Sequence, residues 1–130
     1  MKTMIKVLTI ALVVGMAAGC RTAPVYDIDD APVVASTDKQ LSAEQVKKAI
    51  FRAGGGLGWV MKDSGNNHLE GTLRLRKHMA QVDIRYSPKS YSIQYKDSQE
   101  LRYDGEKIHQ NYNGWIQRLQ QRIQAEISML

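Results

Sequence analysis

The chain has 130 residues, with 18 Lys and Arg against 13 Asp and Glu, and 43% of its residues are hydrophobic. This length allows one small domain and leaves no room for a two-domain enzyme with a separate cofactor module. The single Cys excludes an intrachain disulfide framework and a Cys-rich zinc site.

The N-terminus has the pattern of an export signal. Lys2 and Lys6 come before an uncharged run of 14 residues, from Val7 to Cys20. A helix that crosses the ~30 Å hydrocarbon core of a bilayer needs about 20 apolar residues. The run is too short for that and is typical of the apolar core of a signal peptide.

The end of this run resembles the lipobox of bacterial lipoproteins. Small residues precede the single Cys in Ala17-Ala18-Gly19-Cys20, with Ala17 where Leu is usual. The resemblance implies that residues 1–19 are cleaved off between Gly19 and Cys20, and that Cys20 carries diacylglycerol and an acylated amine. Each buried acyl CH₂ contributes ~0.8 kcal/mol, so several chains together hold the protein on the membrane. Arg21 replaces the Asp that favours inner-membrane retention in such lipoproteins, which implies a periplasm-facing anchor in the outer membrane.

Two simpler interpretations of the N-terminus stay open: an ordinary cleaved signal peptide with a chance Cys, and an apolar start of a cytosolic protein. Removal of Lys2 and Lys6 lowers the formal charge from +5 to +3. The remaining basic residues are scattered, without a stripe of interleaved aromatics. We therefore expect a membrane and an envelope protein as partners, and no nucleic acid.

Residues 20–40 are predicted to be the lipidated Cys and a flexible tether. The segment from Arg21 to Gln40 contains two of the three prolines, four Asp and no sustained period. Twenty flexible residues would span about 25 Å and hold the domain clear of the lipid. An alternative is that the apolar segment 32–35 docks as an edge strand.

The folded domain is predicted over residues 41–130, beginning with a helix. Ser42 and Gln45 have the spacing of a capping box. An apolar stripe follows at helical spacing, and three glycines are expected to end the helix at 54–56. The stripe consists of Val46, Ala49, Ile50 and Ala53.

The middle of the chain alternates between apolar and polar residues, which predicts four antiparallel strands near 57–62, 69–75, 80–86 and 91–96. A last helix is predicted from an apolar face at three-four spacing, with Asp104 or Asn111 as N-cap. Because a glycine is unfavourable in a helix interior, a start after Gly114 is the alternative. The sequence thus predicts an α+β two-layer sandwich: a four-stranded meander with an N-terminal and a C-terminal helix on one face.

The domain also resembles a family of small bacterial envelope lipoproteins. The resemblance lies in the run from His78 to Tyr86, in Tyr91-Ser92-Ile93 with Tyr95, in Asp97-Ser98, in Leu101 with Tyr103, and in Ile108-His109 followed by Tyr112-Asn113 and Trp115. It spans about residues 41–119 and carries no catalytic signature. It therefore supports the location and the fold and implies no activity.

The sequence offers little catalytic chemistry. The three His are far apart, there is no HExxH or GxSxG, and the run 54–58 lacks the GK[ST] ending of a phosphate loop. His68 and Glu70 share a strand face, where solvated structure is favoured over a metal site. The predictions are no metal and no cofactor, with Trp59 and Trp115 as core anchors.

The sequence is consistent with two functions. The first is a non-catalytic, lipid-anchored envelope protein with a protein-interaction or structural role on the periplasmic side. The second is a small ligand-binding domain or enzyme that uses a polar cluster. The residues of this tentative cluster are His109, Tyr112, Asn113 and Asp97. The simpler role for His109 is a hydrogen bond that anchors the start of the last helix.

Overall fold

The computed structural model describes residues 21–36 and 38–130. The predicted signal peptide, residues 1–19 with Gly19 at its end, lies outside the described residues, and so does the predicted lipidation site, Cys20. In chain order the elements are β1 (Thr22–Pro24), β2 (Ile28–Pro32), α1 (Ala43–Gly56), β3 (Val60–Asp63), β4 (His68–Leu75), β5 (His78–Tyr86), β6 (Ser90–Gln99), β7 (Lys107–His109) and α2 (Gln110–Ser128).

The strands form one antiparallel sheet of five strands, in the order β2-β6-β5-β4-β3, and a separate pair, β1-β7. The predicted α+β class is confirmed. The predicted count of four strands is wrong, because β2 extends the meander on the side of β6. The strand expected at 57–62 lies at Val60–Asp63, and Trp59 just before it is buried, with 3% of its surface exposed.

Two of the three unpredicted strands, β1 and β2, lie in the segment predicted as a flexible tether, so that prediction is wrong for Thr22–Pro24 and Ile28–Pro32; the third is β7. Ile28 and Ala31 of β2 lie opposite Ile93 and Tyr91 of β6, and both are buried. Between them the register shifts, and Asp30 adopts a positive φ of 49°. This bulge breaks the two-residue period, so the sequence pattern hides the strand.

The first helix begins as predicted. Gln45 N donates to Ser42 Oγ at 3.1 Å, and Ser42 N donates to Gln45 Oε1 at 2.9 Å. All four residues of the predicted stripe are fully buried. The helix ends at Gly56, as the run of glycines predicts, but these glycines keep helical geometry in its last turn; the left-handed residue is Gly58, with a φ of 91°.

The core lies between the two helices and one face of the five-stranded sheet. Alternate residues of β4, β5 and β6 enter it, as the period of two predicts. Each large apolar side chain buried there contributes about 1.5–3 kcal/mol. The residues that α2 contributes are Tyr112, Ile116, Leu119, Ile123 and Ile127. Trp59 belongs to this core and Trp115 packs half-buried against it, as predicted.

The second helix starts earlier than Gly114. Gly114 lies within its second turn, although a helix-interior glycine costs up to about 1 kcal/mol relative to alanine. The buried face of α2 offsets this cost. Within residues 21–36 and 38–130, neither helix is long and apolar enough to cross a bilayer.

Candidate functional site

Tyr112, from the predicted polar cluster, is a core residue. It is fully buried on α2, and its ring meets that of Tyr95 edge-on with 5.7 Å between centroids. Among the residues that the structure describes, its Oη has no hydrogen-bond partner. Desolvation by burial, and then the charge of Asp27, raise the pKa of Tyr112 far above its usual range. The hydroxyl therefore stays neutral and cannot serve as a general base near neutral pH.

Asn113 holds the N-terminal segment against α2. Its Nδ2 donates to the Pro24 carbonyl at 2.9 Å, and its Oδ1 accepts from Tyr26 N at 2.9 Å. Both ends of the amide are therefore used by the backbone that follows β1. This side chain positions the first strand and is not free to bind a ligand.

His109 is the N-cap of α2, in the role that the sequence analysis favoured for it. Its Nδ1 accepts a hydrogen bond from Asn111 N at 3.1 Å. The predicted N-caps, Asp104 and Asn111, are wrong. Asp104 instead closes the turn before β7, because its Oδ1 accepts from Glu106 N and Lys107 N. These two backbone hydrogen bonds, that from Lys107 first, hold the pKa of Asp104 below its ordinary value.

Asp97 lies on the other, outer face of the sheet. It pairs with Gln81 next to a bulge in β6, and its Oδ1 accepts from Ser98 N at 2.8 Å. The structure thus separates the four predicted site residues. Tyr112 lies in the core, Asn113 against β1, His109 at the start of α2 and Asp97 on the outer face of the sheet. The predicted polar cluster does not form as a single site.

The outer face of the sheet carries paired charges. His68 Nε2 lies 2.6 Å from Asp83 Oδ1, and Lys96 Nζ lies 2.5 Å from Glu70 Oε2 and 3.8 Å from Asp83 Oδ1. Glu70 and Asp83 face each other across β4 and β5, so Lys96, which lies near both, offsets their repulsion. Residues 21–36 and 38–130 contain no group of three His, Cys, Asp or Glu that could hold a metal ion.

One concave site was missed in the sequence. An open groove of about 530 Å³ lies between the β4–β5 turn, the segment after β6, and β7. It is lined by Lys77, His78, Glu100, Arg102 and His109. Three separate segments build it, so no local spacing signals it; the only local signal is the density of basic residues at 76–78.

The chain matches no protein-family model, no curated protein and no solved structure. The resemblance to bacterial lipoproteins therefore stays a prediction from the residues alone.

Proposed function

We propose that this chain is a lipid-anchored envelope lipoprotein with a non-catalytic, protein-interaction or structural role. In this proposal Cys20 carries the lipid, the protein is held in the outer membrane, and the folded domain faces the periplasm. The polarity pattern of residues 2–20 and the small residues before the Cys support the anchor.

One observation carries the non-catalytic role: the polar side chains that chemistry would need are engaged in holding the fold. Tyr112 fills the core, Asn113 holds β1, and His109 caps α2. A general acid or base must reach a reacting atom directly or through one water. Of these three residues, only His109 lines a groove.

The short separation in sequence between Cys20 and β1 also affects where the domain would lie relative to the membrane. Strand β1 begins at Thr22, so one residue separates it from Cys20. A lipidated Cys20 would hold the domain directly against the lipid surface, without the predicted span of about 25 Å. Partners of such a domain are other proteins of the same membrane, or periplasmic proteins that reach its exposed faces.

Site-specific photocrosslinking in intact cells tests the protein-interaction role. A crosslinking residue at Arg85, exposed on the outer sheet face, is compared with one at Gln121, exposed on α2. We expect a discrete crosslinked product from one position and not from the other. The absence of a specific product from both positions, together with turnover of a small molecule by the purified protein, would overturn the proposal.

A second function, binding of a small ligand, is supported by the groove that contains His109. Its volume of about 530 Å³ is enough for a small ligand. Its lining is charged and open to solvent, which favours an anion over an apolar molecule.

A further inference from the structure

The groove is held in shape by hydrogen bonds between its three segments. His78 Nδ1 lies 2.8 Å from the Glu100 carbonyl oxygen, and His109 N donates to the Leu101 carbonyl at 2.8 Å. The first contact joins the β4–β5 turn to the segment after β6, and the second joins β7 to that same segment. The groove is therefore part of the fold and does not depend on a single loop.

These contacts also fix the hydrogens of the two imidazoles. A carbonyl only accepts, so His78 Nδ1 carries a hydrogen. A backbone N–H only donates, so His109 Nδ1 is the acceptor for Asn111 N, and neutral His109 carries its hydrogen on Nε2. His109 lines the groove together with Lys77 and Arg102, and its neutral imidazole has an N–H donor on Nε2.

The backbone around the groove adopts costly conformations. Among the described residues, three that are neither Gly, Asn nor Asp have a positive φ: Arg76 at 55°, Glu100 at 58° and Arg102 at 55°. Such a conformation is unfavourable for a residue with an ordinary side chain, because its Cβ comes too close to the following carbonyl oxygen. Two of the three line the groove, and Arg76 adjoins Lys77, which lines it. Backbone strain of this kind concentrates at functional sites.

The groove lies close to the proposed lipid. His109 pairs with Thr22 across the β1-β7 ladder, and Gln110 N donates to the Arg21 carbonyl at 2.9 Å. Thr22 is two residues after Cys20 in the sequence, so His109 and the groove lie on the side of the domain from which the chain leads to the proposed anchor.

We propose that this groove binds the phosphate of an anionic phospholipid headgroup, an inference that rests on the proposed lipid attachment at Cys20. Lys77 and Arg102 line the groove and supply positive charge and hydrogen-bond donors, and Arg76 adjoins Lys77 in the sequence. Glu100 is the single carboxylate of the lining. Charge-assisted hydrogen bonds to phosphate oxygens are about twice as strong as neutral ones. The lipid anchor would hold the domain at the membrane surface, where headgroups are concentrated. Headgroup binding in the groove would then set the orientation of the domain on that surface.

The chain's three histidines make the test direct, because two line the groove and His68 lies on the outer sheet face. The acylated mature protein, ¹³C-labelled at histidine, is placed in nanodiscs of phosphatidylcholine with increasing fractions of phosphatidylglycerol. We expect the ring signals of His78 and His109 to shift saturably, while that of His68 stays constant. Equal shifts at all three, or none at the groove, would overturn the proposal.

A pair of double variants separates site binding from bulk charge. The double variant Lys77→Gln with Arg102→Gln removes two groove cations. We expect the apparent affinity for phosphatidylglycerol, measured from the His78 and His109 shifts, to fall about tenfold. Lys39→Gln with Lys89→Gln removes the same charge around a different concavity, at the far end of β5, about 27 Å away. This control is expected to match the wild type within about twofold. Equal losses in both variants would mean that only net charge matters, which contradicts the proposal.

Inorganic phosphate added to pure phosphatidylcholine nanodiscs distinguishes the two sources of phosphate. Shifts of His78 and His109 with inorganic phosphate but not with phosphatidylglycerol would overturn the assignment to a headgroup. The intact mass of the same sample records the acyl chains before the titration begins. If Cys20 is not acylated, the intact mass shows it. If the groove does not bind a headgroup, the histidine signals show it.

Discussion

Asn113, on the first turn of α2, holds Pro24 at the end of β1 through a hydrogen bond of 2.9 Å between Nδ2 and the carbonyl oxygen. Eighty-nine residues separate the two in sequence. Together with the bond from Tyr26 N to the Oδ1 of Asn113, this contact fastens the segment next to Cys20 onto the last helix. In the proposed lipoprotein, this contact would hold the anchor-proximal segment against the domain.

Replacement of this side chain should release β1. Asn113→Ala removes two hydrogen bonds at a half-exposed position, and each contributes about 1 kcal/mol. We expect the free energy of unfolding in urea to fall by about 1–2 kcal/mol, with faster amide exchange at residues 22–26. Asn111→Ala, at an exposed residue of the same turn, is the matched control. Unchanged exchange at 22–26 in the Asn113 variant would show that β1 is held by other contacts.

His109 should be replaceable by another capping residue and not by alanine. His109→Ala leaves Asn111 N without its acceptor, which is expected to lower stability by about 1 kcal/mol. His109→Asn supplies a side-chain oxygen at the same place and should restore most of that loss. Urea unfolding of the two variants measures the difference. Equal destabilisation by both would argue that the imidazole has a role other than capping.

Tyr112→Phe should not harm the protein. It removes a buried hydroxyl that has no partner among the described residues, so the free energy of unfolding is expected to stay constant or rise by up to about 1 kcal/mol. Tyr95→Phe is the control, because Tyr95 Oη forms a 2.8 Å hydrogen bond with Ser98 Oγ, and its loss should cost about 1 kcal/mol. A marked loss of stability or of partner binding in Tyr112→Phe would instead indicate a functional hydroxyl.

Asp63 should contribute to stability only above acidic pH. A hydrogen bond from Lys47, followed by one from Gly65 N, lowers the pKa of Asp63 below its ordinary value of 3.8. Its carboxylate therefore stabilises the fold above pH 3.8, and this stabilisation is lost as the pH falls through the lower folded-state pKa. Carboxyl titration by NMR measures this pKa directly. Lys47→Met should raise it toward 3.8; a pKa that does not move would contradict the pairing.

The parts of the fold that follow from local pattern were predictable from the sequence. The capping box at Ser42 and the alternation along β4 to β6 depend on neighbours within a few residues. The alternative of an edge strand in the tether was right in kind and wrong in position: β2 is at Ile28–Pro32, not at 32–35. The bulge at Asp29 and Asp30 breaks the period there, and the partner strand is about 60 residues away. The β1-β7 pair, three residues long, carries no pattern at all.

The candidate site was harder to predict from the sequence than the fold was. His109 was correctly expected to anchor a helix start, but its neighbours in sequence, Tyr112 and Asn113, point to different surroundings once α2 forms. The groove takes its walls from segments around residues 77, 101 and 109, which only the tertiary fold brings together. The left-handed backbone at Glu100 and Arg102 has no signature in these residue types.

The mass of the N-terminal peptide of the protein isolated from cell membranes tests the central claim most directly. We expect the chain to begin at Cys20, this residue to carry a thioether-linked diacylglycerol and an acylated amine, and residues 1–19 to be missing. Substitution of Cys20 by Ser should abolish both the lipid and the membrane attachment. An unmodified thiol at Cys20 in a chain that still begins at Met1 would contradict the anchor, the location and the orientation of the domain.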